Sequence, residues 1–109
     1  MYFNKSTVVF LDGEFVLANE VSSGVYNQTM HYGNGVFEGI RSYSSADGVR
    51  MFKAKEHFER LIFSAQKMHI NIKFSAEELE KAAYKVLEKN NLTDAYIRPL
   101  VYLGENMSL

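Results

Sequence analysis

Hydrophobic residues change their spacing several times along this chain, and each change marks an element. Thr7-Val8-Val9-Phe10-Leu11 and Glu14-Phe15-Val16-Leu17-Ala18 are β-rich runs on either side of Asp12-Gly13, a pair suited to a two-residue turn because both positions tolerate positive φ. A hairpin is expected there. Asn19 to Thr29 has no clear period and carries Ser22-Ser23-Gly24 and Asn27, so loop or short turns should fill it. From Phe37 the pattern alternates, which puts Phe37, Gly39, Arg41 and Tyr43 on one face of a strand and Glu38, Ile40 and Ser42 on the other. Asp47-Gly48 offers a turn into Val49-Arg50-Met51-Phe52, so a second hairpin follows.

Beyond Lys53 the period lengthens. Phe58, Leu61, Ile62, Ala65 and Met68 recur at intervals of three and four, one face of a helix. A second helix starts at Ser75 with Glu78 in the capping-box position, has Glu77, Glu78 and Glu80 near its positive end, and has Lys85 and Lys89 near its negative end. Leu79, Ala82, Ala83, Val86 and Leu87 give it an apolar stripe, and Asn90-Asn91 ends it. Ala95 to Leu103 reads as a last strand. It holds the only proline, Pro99, which lacks a backbone donor and so predicts an edge position or a bulge. The sum is an α+β domain, a mainly antiparallel sheet packed with two helices.

With 109 residues there is room for one domain with a sizeable core. Composition narrows the function more than the fold. A formal charge of -1, with basic residues scattered among acidic ones, argues against nucleic acid as a partner. No apolar run is long enough to span a membrane, and Thr7 to Leu11 is too short for a signal peptide, so a cytoplasmic setting is the expectation. The lack of cysteine excludes disulfides, zinc-thiolate sites and a thiol nucleophile. His31, His57 and His69 have no paired-ligand spacing, so no metal is expected. Aromatic residues are abundant at 14%, which hints at surface that a further domain or subunit would cover.

The stretch His31-Tyr32-Gly33-Asn34-Gly35-Val36-Phe37-Glu38-Gly39-Ile40-Arg41-Ser42-Tyr43 concentrates the chemistry. Its glycines let backbone turn and come close to a neighbour, and the face Phe37, Gly39, Arg41, Tyr43 would suit a small anion. The glycines can equally be turn and bulge positions. Their spacing does not fit a dinucleotide fingerprint, and no phosphate-cradling G-x-x-x-x-G-K-[ST] run is present. Arg60 can form a surface ion pair with Glu56 one turn away. Arg98 alternates onto a face with Tyr96, Leu100 and Tyr102, where a guanidinium must reach water, a structural carboxylate or an anionic ligand.

Three segments together resemble the branched-chain amino acid aminotransferases, pyridoxal-phosphate enzymes of fold type IV. His31 to Tyr43 is similar to the family's H-Y-G-x-G-V-F-E-G-I-R-x-Y signature, Glu56 to Ala65 to its H-x-x-R-L-x-x-S-A helix, and Ala95 to Tyr102 to its A-Y-I-R-P-L strand. They occur in the family's order and cover essentially the whole chain. The resemblance implies an N-terminal small domain, residues 1–109, of an enzyme that passes the amino group of leucine, isoleucine or valine to 2-oxoglutarate. It implies that Arg60 binds the phosphate of pyridoxal 5'-phosphate, that Tyr32, Phe37, Gly39 and Arg98 contact substrate, and that Arg41 and Tyr43 support them. In the family the cofactor lysine lies in a second, C-terminal domain, and no lysine of this chain sits in a segment resembling that site. The chain is therefore expected to be inactive by itself and to self-associate as a homo-oligomer. A D-amino acid transaminase or aminodeoxychorismate lyase small domain, or a non-catalytic interaction module, are the alternatives.

Overall fold

A computed structural model describes residues 3–104. The expected first hairpin forms from β1 (Val8–Leu11) and β2 (Glu14–Leu17), antiparallel, with Phe10 opposite Phe15. Asp12 and Gly13 both take positive φ, 50° and 97°, as a tight turn between twisted strands requires. A short 3-10 turn spans Ala18–Glu20. The loop expected up to Thr29 ends early, because α1 (Gln28–Tyr32) begins within it. Asn27 caps that helix by accepting from Met30 N–H at 3.1 Å, and Gly33 closes it at φ 70°, so one glycine of the motif is a helix stop.

The strand expected from Phe37 is broken in two. β3 (Val36–Phe37) pairs with β7 (Leu100–Val101), while β4 (Ile40–Ser45) lies between β5 (Gly48–Met51) and β6 (Ala95–Ile97), all pairings being antiparallel. The last strand is interrupted in the matching place, at Arg98-Pro99. Across the double break Glu38 N–H donates to the Pro99 carbonyl at 3.0 Å, so the two interruptions face each other and stay joined. The proline thus sits between an edge strand of the three-stranded sheet and a two-stranded ribbon, where its missing donor costs nothing.

The two long helices cover one side of the three-stranded sheet. α2 (Ala54–Lys67) buries Ala54, Phe58, Leu61 and Ala65, and α3 (Ala76–Lys89) buries Ala83 and Leu87. All but Ala65 close with Ile40 and Met51 into one core. Met68, expected on the apolar face of α2, lies just past its end and is exposed, since the left-handed His69 (φ 59°) turns the chain away. The capping box of α3 is complete, Ser75 Oγ accepting from Glu78 N–H at 3.1 Å and Glu78 Oε1 accepting from Ser75 N–H at 2.9 Å. At the other end of α3, Asn90 accepts from Val8 N–H and donates to the Val8 carbonyl, each at 2.8 Å, which pins the hairpin to the helix. No helix among the described residues is long and apolar enough to cross a membrane.

Candidate functional site

Alternation along β3 and β4 gives the sheet two unlike sides. Glu38, Ile40 and Ser42 point to the helices with 6%, 0% and 3% exposure. Phe37, Arg41 and Tyr43 point the other way and are exposed. Antiparallel register sets Leu100 beside Phe37, Tyr96 beside Arg41 and Arg50 beside Tyr43, so the outer side carries aromatic rings and guanidinium groups in adjacent rows. Such a face is costly to leave against water over a large area and is suited to covering by a ligand or another protein surface.

Arg98 organises this side. It projects from the break between β6 and β7, where the chain is free of sheet pairing. Its guanidinium lies 4.5 Å from the Phe37 ring centroid and 5.3 Å from that of Tyr96, and Nη2 donates to Tyr96 Oη at 2.8 Å. Among the described residues no carboxylate comes within ion-pair distance of it. Of the three destinations open to this cation, a structural carboxylate is therefore not the one it takes. Stacking on two rings orients the guanidinium while leaving its charge uncompensated.

Gly39 lies beneath the Tyr96 hydroxyl. A Cβ added there would overlap Oη and come within 3.0 Å of Cζ, so the close approach of the tyrosine explains the glycine. Gly39, expected to contact substrate, is thus covered by the end of Tyr96, a residue not singled out in the motif. Its position two residues before Arg98, on the same side of a strand, was the available signal. Tyr32 ends α1 and is 53% exposed, with His31 as its ring neighbour at 6.4 Å. Among the described residues it makes no ring contact with Phe37, so these two residues, both expected to contact substrate, are not brought together here. Arg41 and Tyr43 flank the cluster with exposed side chains.

A second polar cluster lies on the helix side. Arg60 of α2 grips Glu38 with two bonds, Nε to Oε2 at 2.8 Å and Nη2 to Oε1 at 2.7 Å, and His57 Nδ1 stands 2.8 Å from the same Oε1. The surface pair with Glu56 does not form, because a buried carboxylate offers a better-fixed partner. Arg60 beside it, opposed by burial and helped by His57, holds the Glu38 carboxyl below its ordinary value, and Glu38 in turn raises Arg60. Glu38 was absent from the residues picked out on the motif. A carboxylate on the inward side of a strand was the clue, since burial demands a cationic partner.

Arg60 nevertheless remains 64% exposed. A guanidinium has five N–H donors, and Glu38 takes two of them, which leaves three for an outside anion. A cavity of about 210 Å³ lined by Lys53, Glu56, His57 and Arg60 adjoins it. These residues fit a phosphate group: a planar donor fork fixed in place, an added cation, and access from solvent. No hydrogen bond or ion pair among the described residues joins Arg60 to Arg98, so the domain presents two separate cationic points, one on each side of the strand break.

A model of the amino-transferase class IV family matches residues 35–108. Branched-chain-amino-acid aminotransferase of Pseudomonas aeruginosa is 39% identical over 107 residues, which is 97% of this chain and 35% of that protein. The enzyme of the same description from Escherichia coli K12 is 40% identical over 105 residues, 96% of this chain and 34% of its own. Among solved structures, the branched-chain amino acid aminotransferase from Escherichia coli superposes with a TM-score of 0.90 at 40% identity, over 95% of this chain and 36% of that one. The T.th. enzyme complexed with N-(5'-phosphopyridoxyl)-L-glutamate gives 0.88 at 39% identity, over 94% and 35%. The chain spans about a third of the length of the curated relatives it matches.

Proposed function

Because the chain belongs to the amino-transferase class IV family, we propose that it is the small domain of a branched-chain-amino-acid transaminase. It would hold substrate and cofactor phosphate, while a lysine from another part of the complete enzyme carries pyridoxal 5'-phosphate. The observation that carries the reading is Arg98, stacked on Phe37 and Tyr96 over Gly39 with no carboxylate of its own. In the parent reaction the amino group passes from leucine, isoleucine or valine to 2-oxoglutarate. One pocket must then accept an apolar branched side chain in one half-reaction and a second carboxylate in the other. An exposed ring beside an uncompensated guanidinium serves both, Phe37 meeting the alkyl group and Arg98 the carboxylate.

Pyridoxal phosphate, when bound, supplies the electron sink that makes transfer of the amino group possible. What this chain contributes is placement. Arg60 would take the phosphate with the three donors that Glu38 leaves free, and Lys53 adds charge beside it. Tyr96 sets the angle of Arg98, and Gly39 keeps the backbone low enough for the tyrosine to lie there. Solved relatives with pyridoxamine 5'-phosphate, with phosphopyridoxyl-glutamate and with 4-methylvaleric acid support the cofactor, a dicarboxylate and a branched acid as ligands of that family. The exposed row Val25, Tyr26, Met30 and Tyr32 around α1 supports self-association, in which Tyr32 would reach a neighbouring subunit's substrate site.

The test is a chimera in which this chain replaces the matching third of the Escherichia coli enzyme. It should transaminate L-leucine with 2-oxoglutarate, and Arg98→Ala should depress activity with 2-oxoglutarate more than with a branched-chain 2-oxo acid. Activity on D-alanine but not on L-leucine would overturn the assignment. The chain alone, given pyridoxal phosphate and borohydride, should show no stoichiometric labelling at a single lysine.

A further inference from the structure

Glu38 is the one buried charged residue in the described part of the chain, at 6% exposure. Arg60, at 64% exposure, has little packing to fix its long side chain. What fixes it is the carboxylate. The paired bonds from Nε and Nη2, 2.8 and 2.7 Å long, set both the position and the plane of the guanidinium. The carboxylate is itself held. His57 Nδ1 meets Oε1 at 2.8 Å, and the backbone N–H of Glu38 is tied to the Pro99 carbonyl at 3.0 Å, so the anchor belongs to the strand break and not to a mobile surface chain.

We propose that Glu38 is a positioning residue for anion binding at Arg60: it clamps one edge of the guanidinium against the sheet and presents the remaining donors to the phosphate ester of the cofactor. This rests on reading Arg60 as the phosphate ligand and adds how that arginine is made ready. The sign of the effect separates it from simple electrostatics. A negative group beside Arg60 lowers the local positive potential, so charge alone predicts that neutralising Glu38 tightens phosphate binding. Positioning predicts the reverse, because a freed arginine must be ordered when the anion binds.

Binding of pyridoxamine 5'-phosphate and of pyridoxamine, which differ only in the phosphate and carry no aldehyde to react with lysines, measures this directly on the 109-residue chain. The unmodified chain should prefer the phosphorylated ligand, and its Arg60 Nε–H should give a shifted, slowly exchanging nitrogen-15 NMR signal. Glu38→Gln should weaken the phosphorylated ligand on the order of tenfold, the scale of ordering one long side chain. It should leave pyridoxamine unchanged and abolish the signal. Arg60→Lys, which keeps the charge on an exposed side chain but lacks the fork, should lose a similar factor, and it decides the matter if Glu38→Gln does not fold. Phosphate binding that is equal or tighter in Glu38→Gln, or unchanged in Arg60→Lys, overturns the positioning role. The reading of Arg60 then survives if Arg60→Ala still removes the preference for phosphate. A preference that persists in Arg60→Ala, or is missing from the unmodified chain, overturns both.

Discussion

Gly39→Ala separates a requirement of the site from a requirement of the fold. Gly39 does not occupy the left-handed region, so alanine meets no backbone penalty. By restricting the unfolded chain it should even stabilise by about 0.4–1 kcal/mol. Against this stands the new methyl group, which overlaps Tyr96 Oη and crowds Cζ at 3.0 Å. Tyr96 is 53% exposed and can swing outward, at the loss of its hydrogen bond to Arg98, about 0.5–1.5 kcal/mol at most, and of an exposed cation–π contact of about 0.5–1 kcal/mol. The losses, about 1–2.5 kcal/mol together, are offset only in part. Net stability should fall by no more than about 2 kcal/mol, although the Arg98 cluster is dismantled. Urea unfolding of Gly39→Ala, Tyr96→Ala and the double variant checks the account, because without the tyrosine the methyl group meets no obstacle and the alanine should be stabilising. The reasoning fails if Gly39→Ala costs the same with and without Tyr96, or costs more than about 2 kcal/mol alone.

Other perturbations address the scaffold. Ser42, 3% exposed, donates to the Thr93 carbonyl at 2.7 Å and accepts from Ala95 N–H at 3.0 Å; Ser42→Ala should cost about 1–3 kcal/mol in urea unfolding and loosen β6, which leads into Arg98. Phe58→Ala empties a 3% exposed core position between helix and sheet and should cost about 3–5 kcal/mol, enough to leave little cooperative unfolding by circular dichroism. Asn90→Ala removes both links to Val8, so amide exchange in β1 and β2 should accelerate while β4 stays protected. The Glu38 carboxyl is depressed in the folded state from 4.5, so the unfolded chain binds more protons as pH drops. Its contribution is whole above about pH 4.5 and is lost as pH falls through the lower folded value. The urea midpoint should fall accordingly, and Glu38→Gln should flatten that part of the profile.

The strand break shows where reading the sequence worked and where it stopped. The two long helices, both hairpins and the capping box were legible because each is set by neighbours within a few residues: period, turn pair, or cap. The two faces of the Phe37 to Tyr43 segment were legible for the same reason, although which of them is buried is decided by the helices packed on Glu38, Ile40 and Ser42. The break at Glu38-Gly39 was not, because Gly39 marks only a possible bulge and the alternation runs on through it. It arises from a partner about sixty residues away, where Pro99 cannot donate and Arg98 leaves the ladder. Gly39 and Glu38 are then adjacent residues with opposite assignments, one fitted under Tyr96 on the outer side and the other clamped to Arg60 on the inner side. Resemblance had named Arg60 and Arg98 as two anion contacts without relating them. The fold relates them through this pair, since a shift of the break by one residue would turn the carboxylate outward and set a glycine where Arg60 needs its anchor.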